Sequence, residues 1–233
     1  MKNIVSLLIT FSSLISCAKK SDNAIMNGTP SADTSKTYLA LGDSYTIGQS
    51  VDTSGRYPVQ TVSLLKQQGV KIKDADIIAV TGWTTGNLIN ALDNNPPKNN
   101  YSVVTLLIGV NNQYQHRSLD EYKTEFIELL NRSITYAGNN KDHVIVLSIP
   151  DYSVTPFAAG ADTAEIAKEI DEFNVANKTI ALAAGVQYLD ITPISKEAKY
   201  NIQLVAGDGL HPSAIQYEKW SALLAPLMQQ QLQ

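Results

Sequence analysis

The sequence predicts an α/β fold, a three-layer α/β/α sandwich around a five-stranded parallel sheet of flavodoxin-like winding. Three observations point there. From Thr37 onward, short apolar runs alternate with longer amphipathic stretches. The runs SVVTLLI (102–108) and HVIVLSI (143–149) are apolar at nearly every position, so both faces of these strands must be covered, as in a parallel sheet between two helical layers. Glycine or proline punctuates the runs where a helix or strand should stop.

The elements follow in order. Residues 38–41 (YLAL) form the first strand, which ends at Gly42. Residues 58–68 carry apolar side chains at 59, 62, 64 and 65, near helical spacing, and Gly69 stops that helix. Residues 76–80 (DIIAV) are the second strand. Residues 84–92 form a short helix, closed by Asn94-Asn95-Pro96-Pro97. The third strand is 102–108. Residues 119–137 are a long helix with Phe126, Leu129, Leu130, Ile134 and Ala137 on one face, stopped by Gly138. The fourth strand, 143–149, ends at Pro150. A helix over 162–184 stops at Gly185, residues 186–191 are the fifth strand, and 212–232 form the last helix.

The bulk properties agree with one globular domain. The chain has 233 residues, 44% of them hydrophobic and 17% charged, an ordinary globular composition. The net charge is −4 and no dense Lys/Arg stripe occurs, which argues against nucleic acid as a partner. A monomer is expected.

The N-terminus stands apart from the fold. Lys2 precedes a short apolar stretch from Ile4 to Ile15 that Ser and Thr interrupt. Residues 1–16 read as a signal peptide. The sequence Leu14-Ile15-Ser16-Cys17 resembles the bacterial lipobox, in which the cysteine is lipidated and becomes the first residue of the mature chain. Cys17 is the only cysteine, so no internal disulfide can form. Residues 17–36 are polar and aperiodic, the composition of a flexible tether. The domain then spans 37–233. These readings predict a lipid-anchored protein at a bacterial cell envelope, with a membrane as partner through its anchor.

Ligands of such sheets sit beyond the carboxyl ends of the strands. Ser44 lies there, in Gly42-Asp43-Ser44-Tyr45 after the first strand. Gly42 permits a sharp turn, and helix-terminal amides nearby would favour negative charge. Gly-Asp-Ser also makes ordinary loops and caps, so the segment alone decides nothing. A serine nucleophile needs a base, and the chain has three histidines. His143 opens a strand at the wrong edge. His116 follows the third strand and could approach the site. His211 lies in Gly207-Asp208-Gly209-Leu210-His211-Pro212, after the last strand. Asp208, three residues earlier, could reach Nδ1, fix the tautomer and stabilise the imidazolium. An oxyanion needs donors. Thr81-Gly82-Trp83 offers the Gly82 N–H, and Gly109-Val110-Asn111-Asn112 offers the Asn111 amide. Each has a plain alternative, a helix-start turn for Gly82 and a solvated loop for Asn111.

Taken together, GDSY (42–45), the glycine of TGWTT at 82, GVNN (109–112) and DGLHP (208–212) resemble the motifs of the SGNH hydrolases, also called GDSL-type esterases and lipases. The resemblance covers nearly all of 37–230. It implies Ser44 as nucleophile, His211 as general base and Asp208 as its orienting partner. It implies an oxyanion hole of the Ser44 N–H, the Gly82 N–H and the Asn111 side chain. It also implies the three-layer fold inferred above. Two positions depart from the family pattern: Tyr45 replaces the usual leucine, and Asn112 stands where an aspartate often follows the oxyanion asparagine. The reading is acyl transfer on small or soluble esters, with no metal and no cofactor. Carbohydrate O-deacetylation and lysophospholipid hydrolysis are alternatives within the family, and an idle glycan-binding lipoprotein is an alternative of another class. Trp83, Tyr114, Tyr152 and Phe157 fall on loops that could line an acyl or sugar pocket, or simply pack.

Overall fold

The structure is a computed structural model that describes residues 33–98 and 100–233. The expected signal peptide, Cys17 and most of the tether lie outside the described residues. Strand β1 (Tyr38–Gly42) leads into the single turn α1 (Ser44–Ile47) and then α2 (Tyr57–Gln67). After β2 (Asp76–Ala79) comes α3 (Thr85–Asn94). After β3 (Val103–Leu107) come α4 (Val110–Tyr114) and α5 (Leu119–Tyr136). Then follow β4 (Val144–Leu147), α6 (Thr163–Ala183), β5 (Gln187–Leu189), α7 (Thr192–Lys196) and α8 (Ala214–Gln231).

The five strands are all parallel, in the order β2-β1-β3-β4-β5. This is the flavodoxin-like order the sequence predicted. The central strands β1, β3 and β4 are buried at every position, which explains their continuous apolar runs. The edge strands β2 and β5 are partly open, at Asp76 and Gln187 among others.

Right-handed crossovers put α2 and α8 on one face of the sheet and α3, α5 and α6 on the other. The first pair packs closely, through wholly buried Tyr57, Tyr217 and Trp220 with ring centroids 5.0–6.1 Å apart. On the other face Tyr122 of α5 meets Phe126 at 5.5 Å and Phe173 of α6 at 4.7 Å.

The differences from expectation are local. Helices α1, α4 and α7 are too short to show a period. The last helix starts at Ala214 and not at Pro212, because the Ser213 hydroxyl caps it through the Gln216 amide and Pro212 forms an antiparallel bridge with Val205. The fifth strand is shorter than 186–191. Its pairing with β4 ends at Leu189, and Asp190 instead accepts hydrogen bonds from Ser148 and the Thr192 amide.

Candidate active site

The register aligns the carboxyl ends of the strands: Gly42 pairs with Ala79 on one side and Leu107 on the other, and Leu147 pairs with Leu189. Ser44, Gly82 and Asn111 each follow one of these ends by a few residues, so they converge above one edge.

The turn carrying Ser44 depends on close approach. A Cβ on Gly42 would sit 2.1 Å from Thr46 Oγ1 and 2.4 Å from the Leu107 carbonyl oxygen. Asp43 caps α1, its Oδ1 accepting the Tyr45 N–H at 3.0 Å. Asp43 is fully buried, and its Oδ2 has no hydrogen-bond partner. Burial pushes this carboxyl up to about 7, against the pull of the Tyr45, Asp43 and Gly109 amides. Ser44 opens α1 and is 4% exposed. Because α1 is a single four-residue turn, helix-terminal stabilisation there reduces to a few first-turn N–H groups.

The base loop is a tight turn. The Ala206 N–H donates to the His211 carbonyl at 2.7 Å, and Gly209 has φ +75°. Asp208 Oδ1 accepts the amides of Leu210 (2.9 Å) and His211 (3.0 Å). Its Oδ2 lies 2.7 Å from His211 Nδ1 and accepts the Ser50 hydroxyl at 2.6 Å. Burial raises the Asp208 pKa, but the donors from Ser50, Leu210 and His211 outweigh it and hold the carboxyl well below the usual carboxylate range. An ionised carboxylate only accepts, so Nδ1 is the donor of this pair, and in the neutral imidazole the lone pair then lies on Nε2. The imidazole is 7% exposed and packs against the Tyr45 ring, centroids 5.4 Å apart.

The third and fourth loops are tied together. Gly82 has φ +85°, which a side chain would strain. Asn111 Nδ2 donates to the Trp83 carbonyl at 2.9 Å, leaving its second N–H. Asn112 is fully buried. Its Oδ1 accepts the Thr85 amide (3.0 Å) and its Nδ2 donates to the Thr85 hydroxyl (2.6 Å). That hydroxyl in turn donates to Glu125 of α5. An aspartate at 112 would compete with Glu125 for the same proton, so asparagine suits the neighbours present here.

Ser44, Gly82, Asn111 and His211 all line one cavity of about 140 Å³. Asp208 stands behind His211. Tyr114, Tyr152 and Phe157 form one wall, whereas Trp83 packs on the core. His116 is exposed at the end of α4 with φ +55° and does not line the cavity. His143 lies in a 3-10 turn just before β4, at the opposite edge. Among the described residues the Ser44 hydroxyl makes no protein hydrogen bond, and no group of three or more His, Cys, Asp or Glu could hold a metal. A larger hollow of about 640 Å³ between α5 and α6 contains none of these residues. Sequence reasoning missed Ser50, which is 158 positions from its partner, and Glu125. Neither carries a local signal.

This fold, with its serine-histidine-aspartate loops on one sheet edge, defines a serine esterase of the SGNH type. The chain belongs to the GDSL-like lipase/acylhydrolase family, whose model matches residues 40–219. No curated protein sequence is significantly similar to it. Among solved structures, the lipase/acylhydrolase from Enterococcus faecalis is 21% identical, with a TM-score of 0.60 over 84% of this chain and 97% of that one. The Clostridium thermocellum family 3 carbohydrate esterase is 22% identical, with a TM-score of 0.62 over 85% and 97%. Axe2, an acetylxylan esterase from Geobacillus stearothermophilus, is 19% identical, with a TM-score of 0.59 over 84% and 94%. At these identities the likeness is one of fold.

Proposed function

We propose that this protein hydrolyses short-chain carboxylic esters through an acyl-enzyme on Ser44. The observation that carries the reading is the cavity shared by Ser44, Gly82, Asn111 and His211, with Asp208 2.7 Å behind the imidazole. Ser44 Oγ attacks the ester carbonyl while His211 Nε2 takes its proton. The oxyanion is held by the N–H groups of Ser44 and Gly82 and by the free N–H of Asn111. As the tetrahedral intermediate collapses, His211 gives its proton to the leaving alcohol. A water, deprotonated by the same nitrogen, then attacks the acyl-serine carbonyl and releases the acid. A cavity of about 140 Å³ is well below the roughly 300–1,000 Å³ of pockets for drug-sized ligands, which supports a small acyl group.

A second reading concerns the alcohol. Tyr114 and Phe157 stand 52% and 46% exposed beside the cavity, ring centroids 6.0 Å apart. Such open aromatic faces suit a sugar ring, and two of the fold relatives are described as a carbohydrate esterase and an acetylxylan esterase. An acetylated glycan is therefore the favoured natural ester. The lipobox-like LISC (14–17) supports action at the envelope surface, on a domain anchored through Cys17.

The test is Ser44→Ala. The parent should hydrolyse an aryl acetate and take up a fluorophosphonate at Ser44. The variant should do neither, with an unchanged circular dichroism spectrum. An active alanine variant overturns the assignment, and a parent that never labels favours a binding module.

A further inference from the structure

The short turn after α1 touches three of the four site loops. Its backbone is bound to the nucleophile itself, since the N–H groups of Gly48 and Gln49 both donate to the Ser44 carbonyl at 3.0 Å. From there two consecutive side chains reach out to different loops. Gln49 Oε1 accepts the Thr81 hydroxyl at 2.6 Å, and Thr81 directly precedes Gly82. Ser50 Oγ donates at 2.6 Å to Asp208 Oδ2, the same oxygen that faces His211 Nδ1. Ser50 holds φ +64°, a left-handed conformation that a non-glycine residue adopts at some cost. Glycine would relieve the backbone there but would remove the hydroxyl that binds Asp208.

We infer that Gln49 and Ser50 are positioning residues that clasp the oxyanion loop and the base loop to the Ser44 turn, setting the distances among nucleophile, base and oxyanion donors. This rests on the acyl-enzyme reading above. The chemistry requires it in a simple way. Ser44, Gly82 and His211 sit on three loops of separate origin, and the attack geometry must hold to a fraction of an ångström. Neither residue touches the substrate in this scheme. Each acts through the group it holds.

Ser50→Gly separates positioning from folding, because glycine accepts the left-handed backbone while removing only the hydroxyl. With an aryl acetate, Ser50→Gly should lower kcat by between roughly ten- and a hundredfold, with KM changed less than about twofold because ground-state binding is untouched. Ser50→Asn tolerates the same conformation and keeps a donor for Asp208, so it should recover most of the lost kcat. Gln49→Ala should likewise lower kcat, and Gln49→Glu, which keeps an acceptor for Thr81, should restore it. Wild-type kcat in Ser50→Gly, or a loss that Ser50→Asn does not recover, overturns the clasp. A rise in KM alone also overturns it. If instead Ser44→Ala is active, the catalytic reading falls, so the two failures are distinguishable.

Discussion

Asp208 and Asp43 show how one side-chain type serves opposite purposes a few ångströms from the same cavity. Asp208 takes four donors and is held ionised against the pull of its burial, which suits a group that must steady an imidazolium. With His211 proposed as the base that this carboxylate orients, His211→Ala should abolish ester hydrolysis while His116→Ala retains most of it. Steady-state rates on an aryl acetate decide this, and the reverse pattern would mean that the base is misassigned. Asp43 runs the other way. Its burial pushes it up to about 7 from the usual 3.8, so the folded state binds this proton more tightly than the unfolded chain. The stability this gives is full below about pH 4 and is lost as pH rises toward 7. At 1.36 kcal/mol per unit the loss is at most about 4 kcal/mol. Asp43→Asn keeps an acceptor for the Tyr45 amide but cannot titrate. Its Tm should therefore fall less than the parent's between pH 4 and 7, and equal slopes would refute the protonated Asp43.

At the scale of elements, strand ends and loops do the positioning, and they differ in how readable they are. Ser44, Gly82, Asn111 and the Asp208–His211 pair were legible because each lies in a compact segment directly after an expected strand or before an expected helix. The linkages between loops were not. Ser50 meets Asp208 across 158 positions and Thr85 meets Glu125 across 40, and each is a common polar residue with no periodic context. The short helices α1 and α4 were illegible for a related reason, since one turn holds no hydrophobic repeat. Asn112 was visible as a departure, but its meaning required its neighbours: it serves both the amide and the hydroxyl of Thr85. The tightest constraint of this kind is at Gly42, where β1 meets β3. A methyl there would sit 2.4 Å from a strand carbonyl that the sheet cannot release. Gly42→Ala should cost about 3 kcal/mol, read as a lower urea midpoint with an unchanged m-value. A midpoint equal to the parent's would show that the turn can open.

Across the whole molecule the fold class was readable because burial is so complete at the centre of the sheet. Strands β1, β3 and β4 have no exposed position, and such strands leave an unbroken apolar record in the sequence. The edge strands β2 and β5 leave a weaker record because water reaches part of them. The chain also carries a region that the sheet does not explain. Residues 17–36 are mostly polar in sequence, although Lys36 already pairs with Ile72 in an isolated bridge of the domain. The proposed anchor is Cys17, and stable attachment requires more than one acyl chain, as a diacylated or triacylated N-terminal cysteine would supply. In a bacterial host, the full chain should incorporate labelled palmitate and sediment with membranes. Cys17→Ser should incorporate none and should leave the membrane fraction, while its ester hydrolysis per molecule stays that of the parent, because the substitution is far in sequence from every residue of the cavity. Label persisting in Cys17→Ser, or membrane association without label, would sink the lipid anchor and leave the catalytic proposal standing.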